Sequence, residues 1–312
     1  MKHTWKITFL LLAMFFITQL IGLAVLGAYA PKIKQAQDEE GNIVNITDHN
    51  LPYGLEPPQD TDPKINLISI IISLIIAIAV IFIFMKYGAV LIIRYWFFFV
   101  IILALGLTIN APLIGIKYSS LVALLFALPL AYFKVFKRNI IVHNITELLI
   151  YPGLAAIFVP LLSIWTIIIL LVIISVYDIY AVWHTGFMQK MAKFQIQEVR
   201  VFSGFFIPYL GKKERDLMNK FKQAKANLKS KLKSRKIKMS VAILGGGDVI
   251  FPIILSGVVL RTLGLIPALL ISIGATLALG LLFYYSEKGK FYPAMPFISA
   301  GCFVALAIAY ML

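Results

Sequence analysis

The sequence predicts an all-α polytopic membrane protein of nine transmembrane helices, with a cytoplasmic N-terminus and an outer C-terminus. Three observations predict it. Of 312 residues, 61% are hydrophobic and 14% charged, whereas a soluble domain carries about 45–50% apolar and about 25% charged residues. Nine stretches approach the ~20 apolar residues needed to cross ~30 Å of hydrocarbon. Their basic flanks fall on alternate sides in one consistent register, with the excess inside. A soluble enzyme, a disordered chain and a nucleic-acid-binding domain are excluded, the net charge of +15 notwithstanding.

The spans are expected at 7–29, 66–85, 89–109, 113–133, 140–159, 161–183, 240–260, 263–284 and 293–312. Ala28-Tyr29-Ala30 imitates a signal-peptidase site. The apolar run before it, however, exceeds the ~7–15 residues of a signal core, which favours a retained helix. Segment 31–65 suits an outer loop, with seven acidic residues against Lys32, Lys34 and Lys64. It includes Asn45-Ile46-Thr47, a glycosylation triplet by pattern only. Arg94 and Lys117 lie near the ends of the third and fourth spans, where long basic side chains snorkel to the interface.

With Lys2 and Lys6 inside, 23 of the 29 Lys and Arg face the cytoplasm, among them Lys86, Lys134, Lys137, Arg138, Lys288 and Lys290. Fifteen of these lie between 184 and 239, a basic cytoplasmic loop that separates a six-helix part, 1–183, from a three-helix part, 240–312. Within the loop Leu217, Phe221, Ala224, Leu228 and Leu232 recur at helical spacing between lysines. They read as a basic amphipathic helix on the anionic inner leaflet, or as a solvated helix with a narrow apolar stripe.

One cysteine, Cys302, and four histidines leave no Cys-ligated metal site, and no metal or cofactor is expected. Three acidic residues fall inside spans: Glu147, Asp178 and Asp248. Each costs roughly 2.5–3.5 kcal/mol near a span centre on insertion scales, which makes it a functional candidate. At 1.5 Å per residue, Asp178 lies about 8 Å and Asp248 about 12 Å from the cytoplasmic ends of consecutive antiparallel spans. Two facing carboxylates there would share one proton, so one can deprotonate a water while the other protonates a carbonyl oxygen. Glu147 reads as hydrogen-bonded to a neighbouring helix, and His184 as interfacial. Tyr177 either orients a carboxylate through its hydroxyl or packs.

Gly245, Gly246 and Gly247 precede Asp248. They weaken the helix and permit close backbone approach, as an unwound substrate requires; taken alone they better suit close helix packing, and it is the adjacent aspartate that favours a site. Pro293-Ala294-Met295-Pro296 opens the last span at the same level, leaving irregular backbone that membranes tolerate around a watery cavity.

Tyr177-Asp178, Gly245-Gly246-Gly247-Asp248 and Pro293-Ala294-Met295-Pro296 resemble, in order and depth, the YD, GxGD and PALP motifs of presenilins and signal peptide peptidases. The resemblance implies a cofactor-free intramembrane aspartyl endopeptidase that cuts single-span membrane proteins within their transmembrane helices. Asp178 and Asp248 would be catalytic, with Pro293, Ala294 and Pro296 shaping the site and docking substrate. The loop charge implies the presenilin orientation, and the short chain a microbial homologue in a prokaryotic plasma membrane. Met295 stands where the family has leucine, a near volume-conserving exchange. Gly246 occupies a variable position that often holds a larger apolar residue. Presenilins cut themselves in the corresponding loop, where Phe202 to Leu210 forms an apolar stretch suited to a plug or cleavage site.

Other chemistries fit less well. A zinc protease needs HExxH, but Asn144 follows His143. A rhomboid-type serine protease needs GxSG, but Val201 precedes Phe202-Ser203-Gly204. Prepilin peptidases share a GxGD aspartate yet lack the late proline motif. The alternative from another class is an ion-coupled transporter or cation channel using the same two aspartates; a non-catalytic scaffold would bury them without use.

Overall fold

The computed structural model describes residues 5–37, 43–48, 51–55, 63–137, 139–185, 201–209, 240–287 and 292–311. The stripe expected around Leu217 to Leu232, and Leu210, lie outside them. Nine long helices occur among the described residues. They are α1 (Trp5–Ala28), α2 (Pro63–Lys86), α3 (Val90–Asn110), α4 (Ser119–Phe136), α5 (Ile140–Phe158), α6 (Ile164–Tyr180), α7 (Gly246–Thr262), α8 (Leu265–Tyr285) and α9 (Met295–Ala309). Seven are long and apolar enough to cross a membrane. The sixth of these spans runs on past α6 to His184; the two helices not among the seven, α7 with 17 residues and α9 with 15, are those that begin at the glycine and proline motifs.

Two antiparallel hairpins depart from the all-helical expectation. β1 (Lys32–Gln37) pairs with β2 (Ile43–Asp48), and β3 (Gly204–Tyr209) pairs with β4 (Ser240–Gly245). The span expected from 240 therefore starts as a strand, and its helix begins only at Gly246. A short apolar run bounded by glycine suits either state by pattern, and pairing with β3 decides it. The apolar stretch from Phe202 is the other half of this hairpin.

Local chemistry sets the helix starts around the site. Asn139 caps α5, its side chain accepting from Ile141 and Val142. Ser163 and Thr166 form a reciprocal capping box at the start of α6. Small residues then bring axes together, as expected in lipid, where no hydrophobic force acts between helices. A Cβ on Gly153 of α5 would collide with the backbone of Ala104 on α3. Gly274 of α8 and Gly301 of α9 face each other in the same way: a Cβ on either would stand within 2.7 Å of the other's carbonyl oxygen.

One apolar core joins α1, α5, α6, α7, α8, α9 and the inner hairpin; a second joins α3, α4 and α5. Helix α2 contributes little to either, with 6% of its apolar window buried, and presents its side chains outward. The arrangement puts the end of α6, the start of α7 and the start of α9 against one another, with α1 and α5 behind.

Candidate active site

Asp178 and Asp248 each lie two residues from a helix end. Asp178 precedes Tyr180, where α6 passes into a wider π-type turn over 181–185. Asp248 is the third residue of α7. The depths counted from uninterrupted helices need correction for Asp248, because β4 occupies the residues assumed to be helical. The two acids nevertheless converge: the Asp178 carboxylate is close enough for its charge to act on Asp248. Among the described residues no lysine or arginine pairs with either carboxylate.

Backbone donors hold both. Pro293 and Pro296 have no N–H, so the amides between them belong to Ala294 and Met295. The Met295 N–H donates to Asp178 Oδ2 at 3.1 Å, and the Ala294 amide also reaches this carboxylate. The first amides of a helix have no intrahelical acceptor, which makes them available. The proline motif therefore supplies hydrogen-bond donors as well as a wall. One turn before Asp178, Ser175 donates to Ser299 at 3.0 Å and fastens α6 to α9.

Asp248 occupies the third helical position after its capping residue, Gly245, and its carboxylate turns back to the Gly245 N–H. This is the acidic half of a capping box. A Cβ on Gly245 would stand 3.2 Å from Oδ2, so glycine leaves the carboxylate room. Gly246 is buried, and a Cβ there would lie 2.7 Å from the Tyr151 hydroxyl and 2.8 Å from Ser203 Oγ. Gly247 is exposed. The glycines thus mark a strand-to-helix junction rather than a weakened helix, and the close approach at Gly246 comes from side chains.

Of the remaining expected site residues, Pro293 and Met295 are buried while Ala294 and Pro296 are half-buried. Tyr177 points away from the core, 40% exposed beside Asp178. Glu147 is not part of this group. It forms a buried ion pair with Lys134 of α4. Lys134 is accordingly no solvated cytoplasmic charge, which corrects its place in the charge count. His184 is exposed and stacks on Tyr180.

Signal-peptide peptidase, presenilin aspartyl protease is the family description that matches, over residues 46–312. The chain belongs to this family. As a member it is an integral membrane aspartyl protease. Its fold is similar to a presenilin family intramembrane aspartate protease solved in two crystal forms. The C222 form gives a TM-score of 0.61 at 17% identity, covering 97% of this chain and 98% of the other. The P2 form gives 0.59 at 18%, covering 96% of each. No curated protein matches the chain.

Around the aspartates of this presenilin-family protease stand residues that sequence reasoning did not single out. Gln19, fully buried on α1, donates through Nε2 to the Val249 carbonyl at 3.1 Å, one residue past Asp248. A glutamine in the middle of an apolar span was the available signal. Tyr151, also fully buried, points its hydroxyl towards Ser203 and Glu147 and stacks edge-on against Phe205. No local pattern marks it.

Proposed function

We propose that the chain is an endopeptidase that hydrolyses peptide bonds within the transmembrane helices of single-span proteins. The supporting observation is the pair of acids itself: two carboxylates from different helices, Asp178 within reach of Asp248 by its charge, held by backbone amides and lacking a counter-cation among the described residues. In the reaction Asp178 and Asp248 share one proton. The ionised carboxylate takes a proton from water as the water oxygen attacks the peptide carbon. The protonated one gives its proton to the carbonyl oxygen. Collapse of the resulting gem-diol breaks the C–N bond as a proton passes to the departing nitrogen. No cofactor takes part.

A helical peptide bond is shielded, so the substrate must unwind. The edge of β4 offers it a backbone partner. Phe206 and Gly204 turn their polar groups towards α5, and in an antiparallel strand both groups of a residue point the same way. Hence Phe205, Ile207 and Tyr209 face β4, and Val241, Ile243 and Gly245 present the opposite edge of β4. The Gly245 N–H on that edge already meets Asp248. A strand added there leads directly to the carboxylate.

The rest of the reading is the nine-crossing presenilin plan, N-terminus cytoplasmic and C-terminus outside, in a prokaryotic plasma membrane. Loop 184–239 lies against the anionic leaflet. Tyr177, Gly245, Gly246, Gly247, Pro293, Ala294, Met295 and Pro296 line and shape the site. The test is cleavage of a fluorescent single-span peptide by purified protein. Asp178→Asn and Asp248→Asn are each expected to lose at least ~100-fold in rate while still folded. Near-wild-type cleavage by either variant overturns the reading, as does an aspartate-dependent ion flux in liposomes without proteolysis.

A further inference from the structure

The outer edge of β3 is closed by a single turn of α5. His143 Nε2 meets the Gly204 carbonyl at 2.8 Å. Asn144 makes two bonds to Phe206: its Nδ2 donates to the carbonyl and its Oδ1 accepts from the N–H, each at 3.0 Å. A side-chain amide used in this way takes the place of a neighbouring strand's peptide group. Pro208, the next residue on that edge, has no N–H. A second strand cannot add to β3, and among the described residues the edge of the hairpin left open is that of β4.

Behind the clamp stands a buried charge cluster. Lys134 on α4 pairs with Glu147 on α5, and its Nζ lies 3.4 Å from His143 Nδ1. Glu147, one turn beyond His143, has Oε1 3.8 Å from His143 Nε2. An ammonium has hydrogens to donate and no lone pair. With Lys134 donating to Nδ1, the hydrogen of His143 sits on Nε2, where the Gly204 carbonyl accepts it. Four polar side chains are thus committed, in an apolar setting, to holding one short strand.

We propose that Lys134, His143, Asn144 and Glu147 are positioning residues that fix which peptide bond is cut. They anchor β3, β3 anchors β4 through the Gly204–Gly245 to Tyr209–Ser240 register, and β4 sets the offset of the substrate strand from Asp248. Strand register slips easily where neither turn nor packing specifies it. The clamp supplies that specification from the helix side. This rests on the protease reading and on substrate pairing with β4.

The test uses the full chain in detergent, a synthetic single-span peptide, and mass spectrometry of the products. Wild type should cut at one dominant bond. Asn144→Leu and His143→Leu should spread cleavage over neighbouring bonds and raise KM about 3- to 10-fold, the scale of losing one or two hydrogen bonds. His143→Gln, which keeps an N–H donor, should restore the single dominant bond. Unchanged product pattern and KM in the folded leucine variants overturn the proposal. So does a lowered melting temperature with the wild-type product pattern, because the cluster then serves folding alone. Should wild type cut no peptide at all, the protease reading fails first and this inference with it.

Discussion

Glu147 on α5 and Asp178 on α6 are both buried carboxylates, 1% and 4% exposed, yet their surroundings differ in kind. Glu147 has a lysine against it, a full counter-charge. Asp178 has two backbone amides and a second carboxylate. Amides orient a carboxylate without cancelling its charge, and a neighbouring acid makes the pair's charge depend on one proton. The first environment fixes a structure. On the proposed reading, the second keeps a proton transferable, which hydrolysis requires. In lipid, then, the presence of an acid marks a candidate, and its neutralising partner decides between architecture and chemistry.

The largest effect that could break this contrast is on folding. Removing one partner of a buried ion pair costs about 3–5 kcal/mol, because an uncompensated charge stays behind, while replacing both by apolar residues is often neutral. Lys134→Ala should therefore melt far earlier than wild type in detergent, and Lys134→Met with Glu147→Leu should recover most of the loss. Asp178→Asn with Asp248→Asn should melt no earlier than wild type, since buried neighbouring acids kept for reactivity tend to cost stability. Equal destabilisation in both experiments would erase the distinction.

The next largest effect concerns the amides. Met295→Pro deletes the N–H that meets Asp178, at the first helical position, where proline is accepted. A hydrogen bond to a charged group contributes about 1.5–3 kcal/mol, so kcat/KM should fall roughly 10- to 150-fold. Met295→Leu keeps the amide and should be close to wild type. A Met295→Pro enzyme of normal activity would reduce the proline motif to packing.

Gly246 sharpens the comparison from the other side, where the two clusters come nearest. Tyr151 spans them, with its hydroxyl near Glu147 and Gly246. Gly246→Leu places the larger residue common in the family into a space filled by Tyr151 and Ser203. Overpacking of this kind costs about 1–3 kcal/mol, to be read as a lower melting temperature and slower cleavage. Tyr151→Ala in the same chain should recover part of both; no recovery would place the strain elsewhere.

The sequence disclosed the parts of this molecule that answer to lipid. Apolar runs long enough to cross a bilayer located every long helix, and acids inside such runs are rare enough that Asp178 and Asp248 stood out at once. It disclosed poorly what depends on partners far along the chain. Ser240 to Gly245 reads as the opening of a span until Gly204 to Tyr209 is known to lie beside it. Lys134 reads as one more cytoplasmic charge until Glu147, across a turn, is seen to bury it. Asn144 registered only as the residue that spoils a zinc motif, because the peptide group it bonds is 62 positions away.

Gln19 should give the smallest effect and the most discriminating one. Pro252 has no N–H, so the Asp248 carbonyl four residues earlier lacks its helical partner, and the first turn of α7 is loosely tied. Gln19 ties it again through the next carbonyl, that of Val249. The Gln19 Oε1, however, is buried without a partner among the described residues, and an orphaned acceptor is destabilising. Gln19→Leu removes the tie and the orphan together. The melting temperature should hold or rise, while kcat falls about 2- to 10-fold with little change in KM, the scale of one neutral hydrogen bond next to Asp248. Opposite signs in stability and turnover identify a side chain retained to aim Asp248. A parallel loss of both would return Gln19 to the core, alongside Lys134 and Glu147 rather than the aspartates.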